Sequence, residues 1–197
     1  MKTEIRAFNF EVRAEENDEH GHFLSGRPIV YNSRTDLGWY DEIIEAGALD
    51  GTDLRDVRFL VNHNTDMIPL ARSRNNTENS TMQMTVDGDG MGIRVDLDTE
   101  NNAEAKSLYS AVERGDITGM SFMFRVDKDS WEDLESEHPT RRIRSISRVF
   151  EVSAVTFPAY EATSITARGL SDALESAKAD ADAIVRKKQK IKLLLEV

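Results

Sequence analysis

The sequence predicts an α+β fold that is mostly β, followed by a helical tail, on three observations. Short apolar runs, alternating or continuous, recur from Ile5 to Phe157 and are separated by clusters of Gly, Asp, Asn and charged residues, the pattern of short strands joined by turns. Within that region only Asn101–Arg114 repeats apolar residues at helical spacing, with Ala105, Leu108, Tyr109 and Val112 at i, i+3, i+4 and i+7. After Arg168-Gly169 the composition changes: Leu170–Val197 is rich in Ala, Lys and Leu and contains neither Pro nor Gly, as a separate helix requires. The expected division is one domain over residues 1–168 and a charged helical tail over 169–197.

Taken in order, Ile5–Val12 and Phe23–Tyr31 predict a hairpin around the charged turn from Glu15 to Gly21. Trp39–Ile44 is a further short strand, and a loop or short helix follows Glu45-Ala46-Gly47-Ala48-Leu49 to about Asp56. Val57–Asn64 predicts a strand on which Val57, Phe59, Val61 and His63 share a side, so that His63 ends a buried row. Ile68–Arg74 and Thr81–Val86 are the next strands, and Asp87-Gly88-Asp89-Gly90 has the residues of a tight hairpin turn. A calcium loop is excluded there, because the twelve-residue ligand series ending in Glu is missing and the chain enters Met91-Gly92-Ile93-Arg94-Val95 directly. The helix has Asn101 as expected N-cap, Glu104 three residues later and Gly115 beyond its end. The acidic run from Asp129 to Pro139 lacks a period and predicts an exposed loop in which Trp131 marks a binding surface. Ile143–Ile146 and Arg148–Phe157 are expected as the last two strands.

Composition removes several function classes. A net charge of −11 argues against nucleic acid as a partner, because binding it needs a basic footprint. The absence of cysteine rules out disulfides, thiolate metal sites and a cysteine nucleophile. The start Met1-Lys2-Thr3-Glu4-Ile5-Arg6 places charges where a signal peptide needs apolar residues, and no window has the apolar length of a membrane span. A soluble chain kept in a cytoplasm is expected, with no membrane partner, no cofactor and no metal.

One stretch carries candidate chemistry. If Ile117–Val126 is a strand, Met120, Phe122, Phe124 and Val126 share one face, while Gly119, Ser121, Met123 and Arg125 share the other. Ser121 then stands on a thinly packed face, and Gly119, lacking a side chain, leaves room above the hydroxyl. Glu151 lies inside the nearly continuous apolar run Val149–Phe157. A buried carboxylate needs a partner, either a histidine or, as an ordinary ion pair, one of Arg141, Arg142, Arg144 and Arg148. Among the four histidines, His20 and His22 lie in the charged first turn and His138 precedes Pro139 in the acidic loop, so His63 is the candidate base. A strand serine, an embedded histidine and an embedded glutamate are what serine hydrolysis needs as nucleophile, base and orienting group.

At these residues the sequence resembles the prohead serine proteases of tailed phages, whose catalytic domain is similar to the herpesvirus capsid-maturation protease, assemblin. Leu60-Val61-Asn62-His63-Asn64 resembles the family's histidine strand, and Ile68-Pro69-Leu70-Ala71 follows where relatives often have Pro-Leu-Gly. Gly115–Phe124 resembles its serine strand, Glu151–Ala159 its last signature, and Glu45-Ala46-Gly47-Ala48-Leu49 its upstream Pro-Gly-Ala-Phe element. The likeness spans about Gly26 to Ile165. Met123 and Ala71 stand where glycines are common, so a tighter cleft than in relatives is expected.

The resemblance implies an antiparallel β-barrel-like core of the assemblin type with helices around it, and an endopeptidase with Ser121 as nucleophile, His63 as base and Glu151 orienting His63. Assemblin itself uses a second histidine in the third role, so the glutamate is carried over from the phage branch. Backbone N–H groups of Ala159 and Tyr160 are the expected oxyanion donors, since Pro158 has no N–H to offer. The implied partners are the major capsid protein with its scaffold segment, the protease itself through self-cleavage, and the portal. The implied location is the immature capsid in the cytoplasm of the bacterial host. Two rival readings stand beside this one: a scaffold or assembly protein that keeps the fold without activity, and a small-molecule esterase or amidase using the same three residues. The second lacks the Gly-x-Ser-x-Gly elbow between strand and helix.

Overall fold

The computed structural model describes residues 3–8, 12–18, 21–157 and 164–195. Two sheets face one another across a single hydrophobic core. The larger is ordered β1 (Thr3–Phe8), β10 (Gly119–Glu132), β11 (Thr140–Val155), β5 (Asp41–Ile44) and β4 (Arg34–Asp36), with β6 (Asp56–Val61) also on β11 and β7 (Ala71–Arg74) on β6. The smaller is β2 (Val12–Asn17), β3 (Gly21–Val30), β9 (Gly90–Asp96) and β8 (Met82–Asp87). Helix α1 (Ala103–Glu113) precedes the serine strand and helix α2 (Ser164–Leu195) ends the described chain. Among the described residues the sheets remain open and form no closed barrel, so the coarse expectation of a mostly-β α+β fold holds while the barrel does not appear. The antiparallel expectation is also modified, because β11 pairs in parallel with β5 and with β6.

β11 is the spine. Its first half (Thr140–Ile143) pairs with β5 and its second half (Glu151–Ala154) with β6 on the same edge, while β10 runs antiparallel along the other edge. Residues 151–155 are buried on both faces of the strand, which is why this half reads as near-continuous apolar sequence. The two strands expected over 143–157 are therefore one. What disguised their continuity is irregular pairing: the β10–β11 register shifts repeatedly between Met123 and Asp129, and such bulges break the apolar alternation without ending the strand.

The first hairpin is also rearranged. β2 and β3 pair from Val12↔Gly26 to Asn17↔Gly21, so most of the charged stretch is strand, and Thr3–Phe8 leaves to pair with β10. β2 is at the edge of the smaller sheet, where its exposed charges stay in water and discourage further pairing. The expected Asp87–Gly90 turn is present, with Asp87 and Gly90 directly paired. Gly90 has φ 132°, and a Cβ there would lie 2.0 Å from the Ile29 carbonyl oxygen, so only glycine fits. Trp131 belongs to β10 and not to a loop: its ring meets Tyr40 edge-on at 4.8 Å under the Arg141 guanidinium.

Helix α1 is capped by Asn102, one residue later than expected, whose side chain accepts the N–H groups of Glu104 and Ala105. It ends where Gly115 takes φ 78° and donates to Val112, with Asp116 donating to Ala111, the paired bonds of a Schellman stop. Ala105, Leu108 and Val112 face the core. α2 begins at Ser164, upstream of the composition break. Leu170 is buried, whereas Ile184, Val185 and Ile191 are about half exposed.

Candidate active site

The serine strand is flanked by β1 and β11, with Ala7 and Ser153 opposite Ser121. Phe122, Phe124 and Met120 are fully buried in the core as their parity requires. The opposite face is not thinly packed as its small residues suggested. Ser121 has 0% exposure, because strands pair on both sides of β10 and a turn folds over it.

That turn carries His63. β6 ends at Val61, and Asn62 and His63 both adopt left-handed backbone, φ 51° and 56°, while the Asn64 N–H donates to the Val61 carbonyl at 3.0 Å. Two left-handed central residues closed by this bond make a type I′ turn. His63 therefore does not end the buried strand row but swings back over the sheet. Left-handed backbone costs a non-glycine residue roughly 1–2 kcal/mol, so the turn needs ties. Asn62 supplies them: its N–H donates to the Ala154 carbonyl at 2.9 Å, its amide donates to Thr156 Oγ1 at 3.0 Å, and its side-chain oxygen accepts the Thr156 N–H at 2.9 Å.

The three residues singled out in the sequence converge here. His63 Nε2 lies 2.5 Å from Ser121 Oγ, and His63 Nδ1 lies 2.5 Å from Glu151 Oε1. Glu151 is 3% exposed, and its partners are His63 and Ser153, with none of the four candidate arginines among them. With a carboxylate on Nδ1 that ring nitrogen holds the proton, leaving Nε2 free to accept. Ser121 Oγ has a second acceptor within reach, the Arg6 carbonyl oxygen at 2.8 Å. A hydroxyl has one proton, so these two acceptors compete for it.

The sequence reading missed two participants. One is the Arg6 carbonyl, which follows only from the β1–β10 pairing. The other is Ser153, whose hydroxyl donates to Glu151 Oε2 at 2.5 Å and accepts the His63 N–H at 3.1 Å; its signal is the two-residue spacing from Glu151, which puts both on one side of a strand. Ala159 and Tyr160, the expected oxyanion donors, lie outside the described residues. Beside the turn opens an apolar cleft of about 530 Å³, lined by Val61, Met67, Leu108, Ala111 and Ile117 with Asn62 and Asn64 at the turn side.

β1 is pinned by charge. Arg6, 4% exposed, donates to both oxygens of buried Glu42 at 2.6 and 2.8 Å, while Glu4 takes Arg6 at 2.6 Å and Arg141 at 2.7 and 3.0 Å. Burial alone would push the Glu4 carboxyl up, but the Arg141 hydrogen bond and the charges of Arg6 and Arg141 outweigh it and hold Glu4 below its ordinary value. Burial likewise drives the Tyr40 phenol up to about 12. Asp36, Asp41 and His138 bring three potential ligand atoms within 4.8 Å of one another, but His138 and Arg34 already pair with Asp41 at 3.2 and 2.8 Å.

A model of the caudovirus prohead serine proteases matches residues 8–196, nearly the whole chain. The chain belongs to that family. The prohead protease of Enterobacteria phage HK97 is 29% identical to it over 170 residues, covering 84% of this chain and 68% of that protein. A structure of the bacteriophage T4 capsid assembly protease covers 80% of this chain and 100% of its own at 12% identity, with a TM-score of 0.43. A prohead serine protease is a peptidase of phage capsid maturation, and in this chain a hydroxyl, an imidazole and a carboxylate lie in consecutive hydrogen-bond contact. No described helix is long and apolar enough to cross a membrane.

Proposed function

We propose that this prohead protease is an endopeptidase with a Ser121–His63–Glu151 triad that cleaves capsid and scaffold precursors inside the immature capsid, in the cytoplasm of the bacterial host. The observation that carries the reading is the continuous chain from Ser121 Oγ through both ring nitrogens of His63 to Glu151, each link at 2.5 Å. In this mechanism Ser121 attacks the scissile carbonyl as His63 Nε2 takes its proton, and His63 then gives that proton to the leaving amine. Glu151 holds the Nδ1–H tautomer and stabilises the imidazolium. Backbone N–H groups of Ala159 and Tyr160 are proposed, from their place in the sequence just past β11, to receive the oxyanion.

The cleft beside the histidine turn favours peptide over a small ester, since it opens to solvent and its apolar walls suit a side chain of an extended substrate. The precursor's scaffold segment, the chain itself and the portal are the proposed substrates or partners, with no role for nucleic acid. The division into a catalytic domain over 1–168 and a helical tail over 169–197 belongs to the same proposal, as does kinship of the two-sheet core with the assemblin barrel. The half-exposed Ile184, Val185 and Ile191 suit a helix that docks on other helices in a crowded shell.

The test is cleavage of a capsid precursor by Ser121→Ala and Glu151→Gln. Ser121→Ala is expected to fold normally and to lose turnover by up to about a millionfold, and Glu151→Gln to lose orders of magnitude with little change in stability. Undiminished cleavage by Ser121→Ala would overturn the assignment. Full activity in Glu151→Gln would reduce Glu151 to a structural partner.

A further inference from the structure

We infer that Ser153 is a positioning residue for the reaction, a fourth member that acts through both His63 and Glu151. The inference rests on the triad reading above. Ser153 is completely buried on β11, two residues after Glu151 and directly opposite Ser121 across the β10–β11 ladder. Its hydroxyl is used twice: the proton goes to Glu151 Oε2 at 2.5 Å, and a lone pair receives the His63 backbone N–H at 3.1 Å. The directions are fixed by chemistry, since a carboxylate can only accept and an amide N–H can only donate.

Each bond controls a different degree of freedom. Glu151 Oε1 faces His63 Nδ1, and a carboxylate held by one oxygen alone can rotate about its terminal torsion, which has a broad minimum. Ser153 holds the other oxygen and so fixes the plane in which Oε1 meets the ring. The His63 N–H, in turn, belongs to a left-handed residue, whose backbone persists only where its surroundings over-determine it. One hydroxyl thus ties the carboxylate to the backbone of the residue whose ring that carboxylate orients. A catalytic dyad needs such rigidity because small misplacement costs rate steeply.

A purely structural serine would leave a different kinetic trace. Ser153→Ala removes the hydrogen bond to the charged carboxylate and leaves the His63 N–H without its acceptor, so kcat for peptide hydrolysis should fall about ten- to a hundredfold with KM unchanged. The distinguishing measurement is a double-mutant cycle with Glu151→Gln. If Ser153 acts through the carboxylate, adding Ser153→Ala to Glu151→Gln should cost less than about threefold, because coupled groups lose their effect together. A downfield Nδ1 proton resonance of His63 is expected by NMR in the parent and should broaden or vanish in Ser153→Ala, while the thermal unfolding midpoint shows the chain still folded.

Two results overturn the inference: full kcat in a folded Ser153→Ala, or the same loss in the Glu151→Gln background as in the parent. Failure of the triad itself is distinguishable from either. In that case Ser121→Ala and Glu151→Gln would both retain activity, whereas failure of this inference alone leaves both strongly impaired.

Discussion

At Asn62 and His63 the backbone takes φ 51° and 56°, and the side chain that faces Ser121 is presented by that strained pair. Asn tolerates left-handed backbone better than most residues, and its amide also closes both bonds to Thr156. Asn62→Ala should therefore destabilise the chain by about 1–2 kcal/mol, combining backbone strain with two partly solvated hydrogen bonds. Urea unfolding measures this, and an unchanged midpoint would mean the turn is held by the strand ends alone. The kinetic loss should exceed the stability loss, since the turn aims His63. The three residues that converge here stood out in the sequence because each was out of place for its surroundings: Glu151 in an apolar run, Ser121 beside Gly119 and bulky residues, His63 at the end of a β pattern. What was not legible is how His63 gets there. Val57–His63 alternates as one strand would, and nothing in that alternation reveals that Asn62 and His63 leave it in a turn.

Among elements, β1 lies against the serine hydroxyl. It is an edge strand whose Arg6 carbonyl takes the Ser121 hydroxyl at 2.8 Å, and Ser121 has no exposed surface. A substrate carbonyl carbon must reach Ser121 Oγ, so a covering element has to move, and β1 touches the hydroxyl from the side opposite its base through the Arg6 carbonyl. Thr3 and Arg125 are paired across β1 and β10, at a separation between antiparallel partners that a disulfide spans. The chain has no cysteine of its own, so Thr3→Cys with Arg125→Cys makes a single defined link. The oxidised form should hydrolyse peptide at least about tenfold more slowly than the same protein reduced, and equal rates would show that β1 stays in place during turnover. Strand existence was readable from composition and period, whereas strand partners were not. The hairpin of β2 and β3 begins inside a charged run, and the bulges against β10 split the sixteen residues of β11 into two apparent strands. Pairing is set by long-range packing, which local alternation does not encode.

Over the whole molecule, the acidic balance of −11 coexists with a buried cluster that joins β1, β5 and β11 through Glu4, Arg6, Glu42 and Arg141. Glu4 is held below its ordinary value of 4.5 in the folded chain, so as the pH falls the unfolded chain takes up this proton first. Its contribution is full above about pH 4.5 and is lost as the pH drops below that toward the folded value. Glu4→Gln should be less stable at neutral pH, and its thermal midpoint should fall less than the parent's between pH 5 and pH 3; parallel curves would remove Glu4 from the acid response. The mostly-β class was legible at this scale because it needs only the sum of local patterns. The open pair of sheets, with β5 and β6 parallel to one long strand, was not, because it depends on which edges meet.

If Ser121, His63 and Glu151 act as one unit, a covalent seryl-directed phosphonofluoridate should report it. Protein that cleaves its precursor is treated with the reagent, the adduct is located by mass spectrometry, and its rate of formation is compared in the parent, His63→Ala and Glu151→Gln. A single adduct on Ser121 is expected, formed orders of magnitude more slowly in both variants. An adduct on another serine, or labelling of Ser121 at the parent's rate in His63→Ala, would contradict their acting as one unit.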